Sequence, residues 1–519
     1  MPAWLGRLAE LIERTEGGPV ESLETHISWV LLAGKHAYKL KKPVNFGFLD
    51  FSTLERRKTF CEEELRLNGR LAPQLYLRTV AITGTPESPQ LDGEGPAWEY
   101  AVVMARFDQS QLLSRVLAEG RLPIDLMKGL ADELVRFHAM APTAPDETPF
   151  GRAEAVRVPV EENLQALSRA PLSTDERSLL TEIGEWCARE HSRLATVFES
   201  RRQCGRIREC HGDLHLGNMV LQDDHIVIFD GIEFSEPLRW IDVASELAFC
   251  VMDLEDRGEP SFAHRLLNRY LEQSGDYDLL QVLPYYMVYR ATVRAKVAEL
   301  RRSQDGVLAT EAEQLQNERT QYLHLAWRWT QPRPRWLGLT MGVSGSGKTC
   351  GTQPLIDALG AIRIRSDVER KRLFDREAET TTAASDLREL YSARATERTY
   401  ERLATLAEAA LAAGFPVIVD ATFLREADRR RFLELGGAVG VPVAILEFTA
   451  SEAELIRRVA ERRGDASDAT GEVVRAQLRA VEPISPDERQ SCSVLDGNGT
   501  EVAGYLSRTV NSHGAAPPV

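Results

Sequence analysis

WLGLTMGVSGSGKTC, residues 336–350, contains Gly342, Val343, Ser344, Gly345, Ser346, Gly347, Lys348 and Thr349, a complete G-x-x-x-x-G-K-[ST] phosphate loop. Leu337, Leu339 and Met341 lead into it as a short apolar strand, and Lys348 opens the predicted helix that follows. Such a loop needs glycine because the backbone must close round phosphate oxygens, partly at positive φ, where a Cβ would obstruct the approach. The N–H groups at the helix start then point at the anion. Lys348 is expected to neutralise the β- and γ-phosphates, and Thr349 to ligate Mg2+. A glycine-rich turn formed by chance would not also carry the strand, the lysine and the threonine. The stretch therefore predicts nucleoside triphosphate binding, with ATP and Mg2+ as cofactors. Phosphate loops begin their domains, so the 335 residues before this one belong to something else.

At 519 residues the chain exceeds what one core accommodates, and roughly two to four domains are expected. With 43% hydrophobic and 27% charged residues, its composition is that of ordinary globular domains. A net charge of −15 argues against a general nucleic-acid or anionic-membrane surface, while leaving room for a local basic groove. The seven cysteines, at 61, 187, 204, 210, 250, 350 and 492, form no C-x-x-C pair and read as reduced thiols. The sequence has no basic-then-apolar leader and no apolar run of the ~18 residues a membrane span needs, so a cytoplasmic protein is expected.

Upstream of the loop, Trp4, Leu5, Leu8 and Ile12 have helical spacing. Residues 25–33 and 36–42 are β-rich runs joined by Gly34-Lys35, a hairpin signal. Residues 54–71 predict a charged helix with Phe60, Leu65 and Leu67 inward, residues 99–107 a buried strand and residues 126–140 a helix. Strands first and helices later suggest a small sheet lobe followed by a helical lobe. Then comes HGDLHLGN, residues 211–218, and a strand IVIF at 226–229 ending in Asp230-Gly231-Ile232-Glu233-Phe234. Asp213 can accept a hydroxyl proton, Asn218 can bind a metal, and Asp230 at a strand end can bridge metals on a nucleotide. A plain polar loop, with Asp213 capping a turn, would not need all three at this spacing.

These motifs resemble the aminoglycoside-phosphotransferase branch of the protein-kinase-like fold, whose catalytic loop reads H-G-D-x-x-x-x-N. The resemblance implies an α+β, two-lobed protein-kinase-like domain over residues 1–325, with Asp213 catalytic and Asn218 and Asp230 on the metal. It also implies a lysine on the α/β-phosphates and a helix glutamate to hold it. Lys39 is preferred for the first role, with Lys41 on the same strand face as competitor; Glu64 is preferred for the second, ahead of Glu63. The glycine-rich loop of protein kinases is missing, which counts against a protein substrate. Asp242, in RWID, looks like the residue that braces the catalytic loop in this family. Arg290, Arg294 and Arg301 form a basic stripe on two predicted helices within residues 282–326, read as a solvated face. QPRPR, at 331–335, is the core of a Pro/Arg linker assigned to residues 326–335.

Downstream of the loop, residues 361–364 form a strand followed by RSDVERK, and residues 443–448 form another. Between them, residues 417–422 are a strand whose Asp420 stands where a Walker-B acid ligates the metal. With helices at 396–413 and 426–435, the pattern predicts an α/β P-loop kinase domain over residues 336–508, with a parallel doubly wound sheet. Arg458 and Arg462, one helical turn apart, stand where a lid would bring cations over bound phosphates. Pro354 falls where an interior proline costs ~3 kcal/mol, so the helix is expected to kink or its first segment to be short. This half resembles the polynucleotide-kinase-like and gluconate-kinase-like phosphate-loop kinases. In that group a strand-end Asp, followed three residues later by Arg, deprotonates and orients the acceptor hydroxyl. The resemblance gives those roles to Asp367 and Arg370, which otherwise read as an N-cap and an exposed arginine. The order of the halves, with stretches such as THISWVLLAGKHAYKLKKP and RGDASDA, is similar to bacterial proteins described as bifunctional aminoglycoside phosphotransferase/ATP-binding proteins. Residues 509–519 read as a disordered tail.

The expected function is an ATP-dependent phosphotransferase with two nucleotide sites, moving the γ-phosphate to hydroxyl groups of small-molecule acceptors, with neither membrane nor nucleic acid as partner. One alternative is a regulatory ATP-binding sensor in which one half does not transfer; intact Asp213, Asn218, Asp230 and Lys348 weigh against it. Another is a nucleic-acid end kinase in the second half, which Arg457, Arg458, Arg462 and Arg463 would suit but the acidic total charge disfavours. A polycationic aminoglycoside would need an acidic pocket beside Asp213. The local candidate, residues 253–259 with Asp253, Glu255, Asp256 and Glu259, reads instead as a solvated loop, so a hydroxylated metabolite is the expected acceptor.

Overall fold

The Ala3–Glu16 helix turns Leu5, Leu8 and Ile12 to one side, where they meet Leu31, Tyr38 and Leu40 of a β-sheet in one apolar cluster. Trp4 packs edge-on against Trp29 and Trp98, with ring centroids 5.5 and 5.3 Å away. The sheet is antiparallel and six-stranded: β1 (Val20–Glu24), β2 (Ser28–Ala33), β3 (His36–Lys41), β4 (Tyr76–Thr85), β5 (Ser88–Leu91) and β6 (Glu99–Ala105), in the order β1-β2-β3-β6-β4-β5. Side chains alternate across it. Tyr38 and Leu40 face the first helix, while Ala37 joins Cys61, Tyr76, Val220 and Phe229 in a second cluster on the opposite face. By the same alternation Lys39 and Lys41 share that second face, which the Leu54–Asn68 helix covers.

This computed structural model describes every residue except 1, 48, 305, 377–389, 391, 462–466, 468, 498–503 and 505–519. The chain forms two compact units. The first comprises Met1–Pro171, Cys187–Asp253 and Tyr289–Val297; the second comprises Leu172–Trp186, Leu254–Val288 and Ala298–Val519. In the first, short strands β7 (Ile207–Glu209) and β10 (Trp240–Asp242) pair antiparallel, as do β8 (Met219–Gln222) and β9 (His225–Ile228). They frame the HGDLHLGN loop and the Asp230 turn.

The second unit holds a five-stranded, all-parallel sheet of β11 (Leu337–Met341), β12 (Ile362–Arg365), β13 (Val417–Asp420), β14 (Val443–Glu447) and β15 (Ser493–Asp496). Its order is β12-β13-β11-β14-β15. β11 therefore sits centrally, with the chain leaving it first to one side and later to the other. Such a reversal opens a crevice at the strands' carboxyl ends, where the phosphate loop lies. The Pro260–Ser274 helix covers the β12 edge. Asn268 accepts from the Arg363 N–H at 2.8 Å and donates to the Ala361 carbonyl at 3.0 Å, and Arg265 grips the two Asp357 oxygens through Nε and Nη2 at 2.9 and 2.8 Å.

Two local expectations resolve in this unit. Pro354 does not kink a helix: Lys348–Gly351 is a separate short segment, and Pro354 occupies the first turn of the next, Gln353–Leu359, where a missing N–H costs nothing. The Pro/Arg segment is also less free than its composition suggests. The Ala309–Thr330 helix takes in residues 326–330, and the Arg333 guanidinium lies 4.2 Å from the ring centroids of both Trp329 and Phe415. Among the described residues no helix is long and apolar enough to cross a membrane.

Candidate active sites

In the first unit, strand β3 delivers two lysines to one buried carboxylate. Lys39 Nζ donates to Glu64 Oε1 at 2.7 Å and to Asp230 Oδ1 at 2.5 Å. Lys41 Nζ donates to Glu64 Oε2 at 2.7 Å and to Glu233 Oε1. Glu63, the other candidate, turns outward to Arg66. Burial alone would raise the Glu64 carboxyl, yet the two ammonium groups hold it down to about 2. Burial likewise works against the charge on Lys39, and Asp230 with Glu64 overcomes it, so this lysine stays protonated far past its ordinary range. One turn beyond Glu64, Asn68 accepts from the Gly231 N–H at 2.7 Å, and the Tyr76 hydroxyl accepts from the Asp230 N–H at 3.0 Å. Asp230 itself has φ 64°, a left-handed conformation that aspartate tolerates better than most residues.

The HGDLHLGN loop is stitched to that turn. His211 Nε2 donates to the Phe229 carbonyl at 2.8 Å while its Nδ1 accepts from the Asp213 N–H at 3.3 Å, which fixes the tautomer. The Ile232 N–H donates to His211 O and the Phe229 N–H to Asn218 O, each at 2.9 Å. Asn218 Nδ2 donates to Asp213 Oδ2 at 2.9 Å and to the Asp213 carbonyl at 3.0 Å, which leaves the amide oxygen of Asn218 for a cation. His215 Nε2 stands 3.4 Å from the same carboxylate oxygen. Burial opposes the charge on Asp213, but His215, then His211 and Arg294, hold the carboxyl far below the usual carboxylate range. The side chains of Asp213 and Asp230 are 36% and 43% exposed against none for Glu64, so the first two are open to solvent and the third is not.

The groups that hold this loop differ from those the sequence points to. Its brace is Glu246, not Asp242: the Glu246 carboxylate accepts from the His211 N–H at 2.6 Å and the Gly212 N–H at 2.9 Å. Asp242 instead forms a two-pronged pair with Arg201 at 2.7 and 2.8 Å. Arg290 is no solvated stripe; it is buried and donates to the Gly212 and Ser245 carbonyls. Residues 253–256 are not a loop, since the Val243–Asp256 helix includes them. Asp253 is buried and accepts from the Leu216 N–H at 2.8 Å. The only sequence signal was position: Glu246 follows Asp242 by one helical turn.

In the second unit the phosphate loop borders a cavity of about 560 Å³, a size that suits a small ligand. Gly342 and Gly345 are required there. A Cβ on the first would collide with the Phe448 carbonyl, and one on the second, at φ 86°, would come within 2.9 Å of the Leu455 carbonyl. Lys348 Nζ donates to the Gly342 and Val343 carbonyls at 2.9 and 3.0 Å. The Thr349 hydroxyl donates to Asp420 Oδ2 at 2.7 Å, so the loop and the end of β13 converge on one point. Asp367 and Arg370 line the same cavity from the Ser366–Arg372 helix. Asp367 lies within that helix and is not its N-cap, which is Arg365. Arg370 is buried and donates to the Leu390 carbonyl at 3.0 Å and to Thr396 Oγ1 at 3.2 Å. Arg458 lines the cavity and reaches the Gly345 carbonyl at 3.4 Å; Arg462 and Arg463 lie outside the described residues. Gln477, missed in the sequence, accepts from the Ser344 N–H at 2.7 Å.

The oxygen donors in both places, Asn218 with Asp230 and Thr349 with Asp420, are of the hard type that suits Mg2+. Residues 48–283 match the model of the phosphotransferase enzyme family, and residues 337–484 match that of an AAA domain. Proteins of Mycobacterium tuberculosis and Mycobacterium bovis, both described as uncharacterised, are each 31% identical over 464 residues, covering 88% of this chain and 89% of theirs. Among solved structures, the amicoumacin kinase hAmiN in complex with AMP-PNP, Ca2+ and Ami is 13% identical, covers 59% of this chain and 88% of its own, and has a TM-score of 0.39. A gluconokinase from Sinorhizobium meliloti 1021 is 19% identical, covers 35% and 97%, and has a TM-score of 0.26.

Proposed function

Since the chain belongs to the bifunctional aminoglycoside phosphotransferase/ATP-binding protein family and is a phosphotransferase, we propose that it carries two Mg·ATP sites, each moving the γ-phosphate to a hydroxyl of a small-molecule acceptor. The observation that carries this reading is that both units pair a phosphate-side cation with a carboxylate available to a hydroxyl. The second unit does so within one cavity, lined by Lys348, Thr349 and Asp420 together with Asp367 and Arg370. The first offers Lys39, Asp230 and Asn218 beside Asp213. The functional division follows the expected domains, 1–325 and 336–508, with the residues between as linker.

In the first unit Asp213, ionised and oriented by Asn218, takes the hydroxyl proton as the acceptor oxygen attacks the γ-phosphorus and ADP departs. In the second, Asp367 takes the corresponding proton while Arg370 orients the acceptor, and Lys348 and Arg458 neutralise the phosphates. Bound Mg2+ supplies charge neutralisation and alignment of the phosphates, held by Asn218 and Asp230 in one unit and by Thr349 and Asp420 in the other. The family name does not fix the acceptor. Three of the four acids that a polycation would need are already engaged: Asp253 with the Leu216 N–H, Glu255 with the Trp329 indole at 2.7 Å, Asp256 with Gln321 at 3.0 Å. That supports a hydroxylated metabolite over an aminoglycoside. The test is ADP release by the full-length wild type, Asp213→Asn and Lys348→Ala across a panel of hydroxylated metabolites that includes kanamycin. Each variant should lose a different set of acceptors. A single activity lost equally in both would mean one coupled reaction and would overturn the two-site reading.

A further inference from the structure

One carboxylate held by two lysines is more than a phosphate clamp needs. Asp230, Lys39, Glu64, Lys41 and Glu233 form an unbroken chain in which acids and bases alternate. Each Glu64 oxygen has its own lysine: Oε1 takes Lys39 and Oε2 takes Lys41. The two lysines differ in access. The Lys41 side chain is 1% exposed, capped by Glu233 and seated over the Phe51 ring at 4.9 Å, so no phosphate can reach its ammonium. The Lys39 side chain is 13% exposed, and its second partner, Asp230, opens to solvent.

Resting on the reading of the first unit as an ATP site, we propose that Lys41 is the permanent counter-ion of Glu64, tied through Glu233 to the Asp230 turn, so that Lys39 can leave Asp230 for the nucleotide phosphates while the Glu64 helix stays docked. With a single lysine, moving it toward phosphate would strain or break the only ion pair of a fully buried carboxylate, and an unpaired buried charge is strongly unfavourable. With two, Glu64 keeps a fixed partner throughout. Glu233, three residues past Asp230, then carries the same tether into the turn that would hold the cation. Lys41 and Glu233 are positioning residues; Lys39 is the one that touches ligand.

The experiment uses the full-length chain with Lys348→Ala, which silences the second nucleotide site, and reads two quantities: Mg·ATP affinity by calorimetry, and amide exchange of the Leu54–Asn68 helix and the Asp230 turn. Lys39→Met should weaken Mg·ATP by more than about tenfold, the worth of one charge-assisted contact, and leave helix exchange as it was. Lys41→Met and Glu233→Gln should weaken Mg·ATP by less than about threefold while speeding exchange in both segments. Glu233→Gln preserves shape and removes only charge, so it decides the matter if Lys41→Met does not fold. Unchanged exchange in Glu233→Gln, or a loss of affinity in Lys41→Met equal to that in Lys39→Met with exchange unaltered, overturns the proposal. Failure of Lys39→Met to weaken Mg·ATP would instead sink the ATP-site reading on which it rests.

Discussion

In the second unit the phosphate loop is a run of eight consecutive residues, Gly342 to Thr349, whereas in the first Lys39 finds its partners 25 and 191 positions away. The loop works through backbone N–H groups and needs only the turn that its glycines permit. The first site works through side-chain charge in a buried setting, so every ion must have a counter-ion and every counter-ion a fixed place. A backbone cradle tolerates change around it, while a charge chain holds only as long as each buried ion keeps a partner.

If the two sites are independent, removing the base proposed for the first should leave the second untouched. Asp213→Asn keeps the shape and the Asn218 contact but cannot take a proton, so first-site turnover should fall by about 10²–10⁴-fold. Second-site turnover, followed by ADP release with its own acceptor, should persist. Conversely, Lys348→Ala should cost the second site about 1.5–3 kcal/mol of ATP affinity, the scale of a contact to a charged group. Calorimetry on the full-length chain should then resolve one surviving site; two unaltered sites would remove Lys348 from the phosphates.

Acidity sharpens the contrast further. Glu64 is held down to about 2 against an ordinary 4.5, so its ion pairs stabilise the folded first unit above pH ~4.5 and that contribution is lost as pH falls toward ~2. Glu233, raised by burial against the pull of Lys41, works in the opposite sense, since its protonation favours the folded form. The Glu64 signature is therefore cleanest in a Glu233→Gln background. Exchange protection of the Leu54–Asn68 helix should fall by a few kcal/mol across that window there, and the additional change Glu64→Gln should flatten the slope. A slope that survives Glu64→Gln belongs to some other carboxyl.

How far the sequence could be read follows the same division. The phosphate loop, Asp213, Asn218 and Asp230 were legible because each sits in a short motif whose spacing is itself the chemistry. Lys39 and Glu64 were legible only with competitors beside them, because a strand shows which lysines share a face but not which is sealed. The braces were illegible. Arg290 read as a charge on a solvated helix face and Asp253 as part of a solvated loop, while nothing singled out Glu246; each is buried with the loop it holds, far off in sequence. The same reason hid Asn268, whose amide covers the edge of β12, and Gln477, which meets the phosphate loop from 133 residues away. The sequence divides at the phosphate loop, yet Leu172–Trp186 and Leu254–Val288 belong to the second compact unit, which only packing could reveal.

The smallest expected effect tests whether the backbone cradle is as self-sufficient as it looks. Pro354 begins the second helical segment, and the bonds before it are complete without it: the Gly351 N–H reaches Gly347 O at 2.8 Å and the Thr352 N–H reaches Lys348 O at 3.0 Å. Pro354→Ala restores an N–H and allows the two segments to join, which favours the folded state. It also frees the unfolded chain, which opposes it by about 0.4–1 kcal/mol. The two effects act in opposite directions, so stability by chemical denaturation should move by less than ~1 kcal/mol. Because the glycines, Lys348 and Thr349 all precede the break, ATP affinity should stay within about twofold, well under the tenfold that 1.4 kcal/mol represents. A larger loss would mean that the break at Thr352 itself shapes the loop, and that this site, like the other, depends on a constraint outside its own motif.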